Sequence, residues 1–168
     1  MDITIRLLEV DDIPLMARAF EELGWHKSQS LYERYLTEQV LELRDVYVAF
    51  VDGKFAGYLT ICWRSSYESF REKNIPEIVD FILLPNFRRM GIGTKLMDLA
   101  EGEIARISSV VGIGVGMTPD YGAAQRLYVL RGYIPDGLGL HWKDHHVHFR
   151  EEIKVDDDLA LYFTKELN

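Results

Sequence analysis

The stretch that decides the fold runs Ile78-Val79-Asp80-Phe81-Ile82-Leu83-Leu84-Pro85-Asn86-Phe87-Arg88-Arg89-Met90-Gly91-Ile92-Gly93-Thr94. Up to Leu84 it is almost wholly apolar, which reads as a buried strand ended at Pro85. Beyond the glycines, Leu96, Met97, Leu99 and Ala100 recur at helical spacing. A strand, a tight glycine turn and a helix start in that order aim unpaired backbone N–H groups at one point, where the helix dipole also favours negative charge. The sequence therefore predicts a pyrophosphate-binding corner.

Spacing decides which kind of corner it is. The dinucleotide pattern G-x-G-x-x-G fails because Leu96 stands where the third glycine belongs. The P-loop pattern fails because Thr94-Lys95 follows Gly93 in the wrong order and Arg88 occupies the place of the earlier glycine. What remains, an arginine, two residues, then G-x-G behind the strand, resembles the acyl-CoA pyrophosphate loop of the GNAT superfamily of N-acetyltransferases. Downstream, Ala124-Gln125-Arg126-Leu127-Tyr128-Val129-Leu130-Arg131-Gly132-Tyr133 is similar to that superfamily's second signature, A-x-x-L-Y-x-x-x-G-[Phe/Tyr]. Upstream, Ile3 to Arg6 and an Asp-capped helix resemble its opening elements, so the likeness spans roughly the whole chain. One departure stands out: Tyr121 occupies a position where the family often has asparagine.

The resemblance implies a single acetyltransferase domain over residues 1–168, with an α/β, mixed α+β fold: a largely antiparallel sheet flanked by helices, with a parallel pair at the cofactor. It implies acetyl-CoA as cosubstrate, held by Ile82, Leu83 and Leu84, by the loop Arg88, Arg89, Met90, Gly91, Ile92, Gly93 and Thr94, and by Tyr121. On the same pattern the strand before Pro85 splays from its neighbour and leaves main-chain groups near Leu83 and Leu84 for pantetheine. Homodimers formed through sheet edges or C-terminal segments are a further implication.

Composition sets the wider bounds. The 168 residues suffice for a substantial core, and 48% hydrophobic with 27% charged residues describes an ordinary globular protein. A net charge of −8 argues against a nucleic-acid partner and is compatible with a cationic amine. No apolar run approaches the roughly 20 residues of a membrane span, and Met1-Asp2-Ile3-Thr4 lacks a signal-peptide layout. Cys62 is the only cysteine and reads as a small strand residue. A cytoplasmic location is expected, since nothing here calls for an oxidising compartment.

Along the chain, Ile3 to Leu7 reads as a strand and Asp11 or Asp12 caps a helix ended by Gly24. A second helix from Ser28 or Ser30 carries Tyr32, Tyr35, Leu36, Val40 and Leu43 on one face. Strands Val46 to Val51 and Lys54 to Trp63 meet at Asp52-Gly53, a strong hairpin signal. A partly helical connector leads to the strand Glu77 to Leu84. Later elements are a helix to about Arg106, a strand at Val110 to Val115, a helix Tyr121 to Arg131 and a last strand Leu159 to Lys165. Asp156-Asp157-Asp158 reads as a solvated turn.

Acyl transfer to an amine needs a held thioester, a neutral nucleophile and an acid for the departing thiolate. A lysine-like amine of pKa about 10.4 costs about 4 kcal/mol to deprotonate at neutral pH, an α-amine only about 1. Glu77 and Asp80 are the candidate bases on the central strand; alternation sets them on opposite faces unless a bulge intervenes. Tyr128 is the candidate acid, its phenol about two units above a thiol. Acceptors are expected to be small-molecule primary amines, attacked directly in a ternary complex, with protein acetylation or a non-catalytic CoA-binding module as rivals. No metal is expected: the spacing of His141, His145, His146 and His148 matches neither a zinc finger nor H-E-x-x-H. The alternate glycines Gly112, Gly114 and Gly116 suit a strand face approached closely by another backbone. Trp142 and the connector Gly24-Trp25-His26-Lys27 are expected near the acceptor.

Overall fold

Asp52 and Gly53, both at positive φ (+48° and +77°), close the tight turn that the sequence announces. In the computed structural model, which describes all 168 residues, this turn joins β2 (Arg44–Val51) to β3 (Lys54–Cys62). Around them are β1 (Ile3–Leu7), β4 (Glu77–Leu83), β5 (Val110–Gly116), β6 (Ile134–Trp142), β7 (His145–His146) and β8 (Leu159–Glu166). They form one eight-stranded sheet in the order β1-β2-β3-β4-β5-β8-β6-β7. Every neighbouring pair is antiparallel except β4–β5. The expected mixed, largely antiparallel architecture is thus present.

Alternation along β2 sorts its side chains between two cores. Tyr47, Ala49 and Val51 join a cluster with Ile92, Leu96, Met97, Ala100 and Ile104 of α4 (Ile92–Ala105) and Tyr128 of α5 (Gly122–Leu130). Val46, Val48 and Phe50 face the other way, onto Ile13, Met16 and Phe20 of α1 (Asp12–Glu22) and Tyr32 and Tyr35 of α2 (Gln29–Val40). The helices therefore cover both faces, and burying each apolar stripe contributes roughly 25 cal/mol per Å². A short α3 (Glu68–Glu72) supplies Phe70 to a third, smaller cluster.

Several local expectations change. Asp12 does not cap the first helix in the usual way: its carboxylate accepts the N–H of Glu9 at 2.8 Å and pairs with Arg6 at 2.6 Å. On α2, Val40 and Leu43 lie outside the buried stripe, because the helix ends at Val40 and the chain turns away toward β2. The glycines of β5 make room for rings rather than for backbone. A Cβ at Gly112 would meet Phe70 at 2.3 Å, one at Gly114 would meet Tyr162 at 2.8 Å, and one at Gly116 would meet Tyr121 at 2.4 Å. β6 and β7 were not anticipated at all. The acidic triplet is more than a solvated turn: Asp156 accepts the Trp142 indole N–H at 3.0 Å, and Asp157 the Tyr121 hydroxyl at 3.2 Å.

Candidate active site

The corner after β4 is built as the sequence implies. Leu84 leads through a single 3-10 turn at Pro85–Phe87 into Arg89 and Gly91, both in the left-handed region at φ +61° and +80°. Alternating handedness of this kind curls successive amides into a concave nest suited to anions. Ile92 is fully buried and anchors the start of α4 in the core, so its contribution to the corner is its backbone. The first helical hydrogen bond is Lys95 N–H to the Gly91 carbonyl at 3.1 Å. The N–H groups of Arg89, Met90, Gly91, Ile92, Gly93 and Thr94 have no acceptor within the chain, and no side chain caps the helix. Gly93 lies tight against β4: a Cβ there would stand 3.2 Å from Leu83 and Phe81.

Beside this corner the sheet opens. β4 and β5 pair only at Glu77↔Gly112 and Ile78↔Ile113, so past Ile78 the parallel partners separate and β4 has no ladder partner on that side. The splay is as expected, with one correction. The Leu84 amide is not available, since it donates to the Ala56 carbonyl at 2.9 Å; Leu83 is the residue left at the lip, with its carbonyl accepting Arg88 Nε at 3.2 Å. Ile82 pairs with Tyr58 across β3.

A bulge settles how the two carboxylates are disposed. Thr60 pairs with Val79 and Tyr58 with Ile82, which leaves Asp80 and Phe81 together opposite Leu59. Asp80 takes the extra place at φ +57°, a conformation aspartate tolerates better than most residues. The bulge therefore turns Asp80 onto the same face as Glu77. There Asp80 accepts hydrogen bonds from Tyr58 and, at 3.0 Å, from Tyr35, and pairs with Lys27 at 2.8 Å. Lys27 belongs to the connector between α1 and α2, where a depression bounded by Glu21, Trp25 and His26 opens.

Glu77 has a different environment. It is 7% exposed, and its one hydrogen bond comes from Ser65 Oγ at 2.5 Å. Burial pushes its carboxyl up to about 7, against the opposing pull of Ser65 and Arg44. A carboxyl poised near neutrality is suited to exchanging protons. Around it the face is aromatic. Tyr67 stacks on Tyr162 at 3.7 Å, with His141 and His146 edge-on and Tyr67 bonded to Asp136 and His146, each at 2.7 Å.

Tyr128 sits on the other side of the sheet, 5% exposed, with no hydrogen bond to its hydroxyl. One turn earlier Gln125 donates to the Gly116 carbonyl at 2.9 Å, which holds this face of α5 against the end of β5, where the strands have parted. Burial raises the Tyr128 phenol above its ordinary value, so it lies further above a thiol than the ordinary values place it. Tyr121 lies over Gly116 with its hydroxyl committed to Asp157.

Residues 14–133 match the family described as the acetyltransferase (GNAT) family. The chain belongs to that family. Over 74 residues it is 38% identical to an uncharacterised N-acetyltransferase of Archaeoglobus fulgidus; the match covers 44% of the chain and spans half the length of that relative. Among solved GNAT structures, the Salmonella typhimurium acetyltransferase with its cofactor acetyl-CoA is 19% identical, with TM-score 0.69 over 99% of this chain and 94% of that one. Ribosomal-protein-alanine N-acetyltransferase from Brucella melitensis is 18% identical, with TM-score 0.70 over 98% and 99%. These likenesses establish the GNAT fold. No helix of the chain is long and apolar enough to cross a membrane.

Within this GNAT fold the sequence reading missed Lys27, Tyr35, Tyr58 and Ser65 as partners of the two carboxylates. Of these, only Lys27 lies in a segment expected near the acceptor. The others reach the site across 45, 22 and 12 residues of chain, and no local pattern signals that.

Proposed function

We propose that the protein is an N-acetyltransferase that moves the acetyl group of acetyl-CoA to a primary amine of a small molecule, by direct attack in a ternary complex and with the whole of residues 1–168 acting as one catalytic domain. The observation that carries this reading is the run of unclaimed N–H groups from Arg89 to Thr94 beside the open mouth of β4 and β5. Such a run fits a diphosphate, which needs many donors at one point. Leu83 at the strand lip and Gly93, packed close behind it, would flank the pantetheine arm, and bound acetyl-CoA supplies the activated thioester.

The chain's own groups divide the remaining work. Glu77 accepts a proton from the acceptor ammonium, and Ser65, which lines a pocket with Trp63, Arg71 and Asn74, carries the connection outward. Asp80, already neutralised by Lys27 and held by two phenols, positions rather than abstracts. Tyr128 presents its O–H to the developing thiolate. The aromatic, carboxylate-lined face around Tyr67, Tyr162 and Asp136 favours a cationic acceptor. The cytoplasm, where acetyl-CoA and free amines meet, is the setting this reading assigns.

Calorimetry with CoA and thiol release from acetyl-CoA across a panel of amines test it together. Stoichiometric CoA binding and amine-dependent release are expected, with Tyr128→Phe lowering kcat about a hundredfold at nearly constant KM for acetyl-CoA. Binding without release on any amine would leave a CoA-binding module, and absence of binding would end the proposal.

A further inference from the structure

The histidines that the sequence groups together are divided by the fold. His141 and His146, paired across β6 and β7, turn toward Tyr67. His145, next along the strand and so on the opposite face, turns away from them toward Glu151. Its Nε2 lies 2.6 Å from Glu151 Oε1, and His148 Nδ1 lies 3.3 Å from Glu151 Oε2. One carboxylate thus receives two imidazoles, one at each oxygen. The two rings stand 6.0 Å apart, 20° from parallel.

The geometry points to a divalent transition-metal site formed by His145, His148 and Glu151. One ligand atom from each residue lies within 4.8 Å of the others. Two atoms bound to a tetrahedral zinc at about 2.0–2.1 Å stand about 3.3–3.4 Å apart. His148 Nδ1 is already at that separation from Glu151 Oε2, His145 Nε2 needs to open from Oε1 by less than about 1 Å, and the two imidazole nitrogens, which lie within 4.8 Å of one another, close on the ion by rotation of the exposed His148 side chain.

The surroundings support the same assignment. Asp144 Oδ1 is 3.1 Å from Nδ1 of His145, the nitrogen that faces away from the cluster, which is the carboxylate–imidazole support that metal-bound histidines commonly have. The backbone N–H of His148 donates to Glu151 Oε2 at 2.7 Å and fixes the carboxylate in place. His148 is exposed, so an ion has a direct route in. Two imidazoles and one carboxylate select Zn²⁺, Co²⁺ or Ni²⁺ over Mg²⁺ or Ca²⁺, which prefer all-oxygen shells. Three protein ligands leave a position for water. Glu151 lies in the irregular stretch between β7 and β8, so the ion would tie that stretch to the β6–β7 hairpin. Histidine spacing alone does not reveal this set, because its third member is Glu151.

Tag-free protein, dialysed against a chelator, is titrated with Zn²⁺ by calorimetry, and with Co²⁺ while its visible absorption is recorded. One equivalent of each ion is expected, with the intense Co²⁺ bands of a low-coordinate site. His148→Ala and Glu151→Gln, shown to be folded by circular dichroism without metal, should each weaken Zn²⁺ binding by at least about tenfold, while His26→Ala should not. Thermal unfolding of the wild type should move upward with Zn²⁺ and that of the two variants should not. No binding by the wild type, or equal binding by the His148 and Glu151 variants, overturns the site.

Discussion

Glu77 shows how a single residue links stability to chemistry. Its folded pKa of about 7 lies above the ordinary 4.5, so between those values the folded protein holds a proton that the unfolded chain has released. Stability from this group is complete below about pH 4.5, declines as pH rises to about 7, and is then flat, a difference of about 3 kcal/mol. Glu77→Gln removes that decline; urea unfolding of both proteins from pH 4.5 to 8 should show their stability difference shifting in the variant's favour by about this amount. If Glu77 is the base, the same substitution also removes the rise of kcat/KM through pH 7, and a variant that keeps this limb assigns the proton to another group. The sequence offered both Glu77 and Asp80, and could not choose because the choice rests on partners. One donor and deep burial leave Glu77 free to titrate, whereas a lysine and two phenols occupy Asp80.

Among the elements, the turn into α4 was the most legible, since glycine spacing reports directly on backbone conformation. Gly91 sits at φ +80° with open space around it, so Gly91→Ala meets no clash but must adopt a left-handed backbone. The expected cost is about 1 kcal/mol, or about 2–4 °C in Tm. CoA affinity should fall by about tenfold or more as the amides lose their common aim; calorimetry and a melting curve separate the two effects, and unchanged affinity removes this turn from the cofactor site. β6 was illegible for the opposite reason. Pro135, Gly137 and Gly139 interrupt its pattern, and the pairing with β8 breaks between Pro135 and Leu140, with both glycines at positive φ. Strand propensity reads a pleat, and this strand is only partly pleated.

At the scale of the whole molecule, Glu101 joins segments far apart in sequence. From α4 it accepts Arg131 at 2.9 Å, Tyr133 at 3.0 Å and Lys165 at 2.8 Å, tying the end of α5 and strand β8 to the helix that opens at the anion corner. Glu101→Gln leaves Lys165 without its carboxylate and Arg131 with Asp98 alone, and about 2 kcal/mol or about 4–8 °C in Tm should be lost; a melting point within 1 °C of wild type, read by calorimetry at the same pH, would mean that about 0.5 kcal/mol or less rests on this node. Neither this junction nor the strand order could be read from periodicity, because both depend on contacts that only the finished sheet creates. The bulge in β4 has one more consequence. Without Asp80, Val79 and Phe81 would alternate cleanly opposite Thr60 and Leu59, and every later partner would stay as it is. Asp80 is thus a surplus residue in the ladder: the strand pairing is complete in its absence, and what its loss would leave without an acceptor are the buried hydroxyls of Tyr58 and Tyr35 and the ammonium of Lys27.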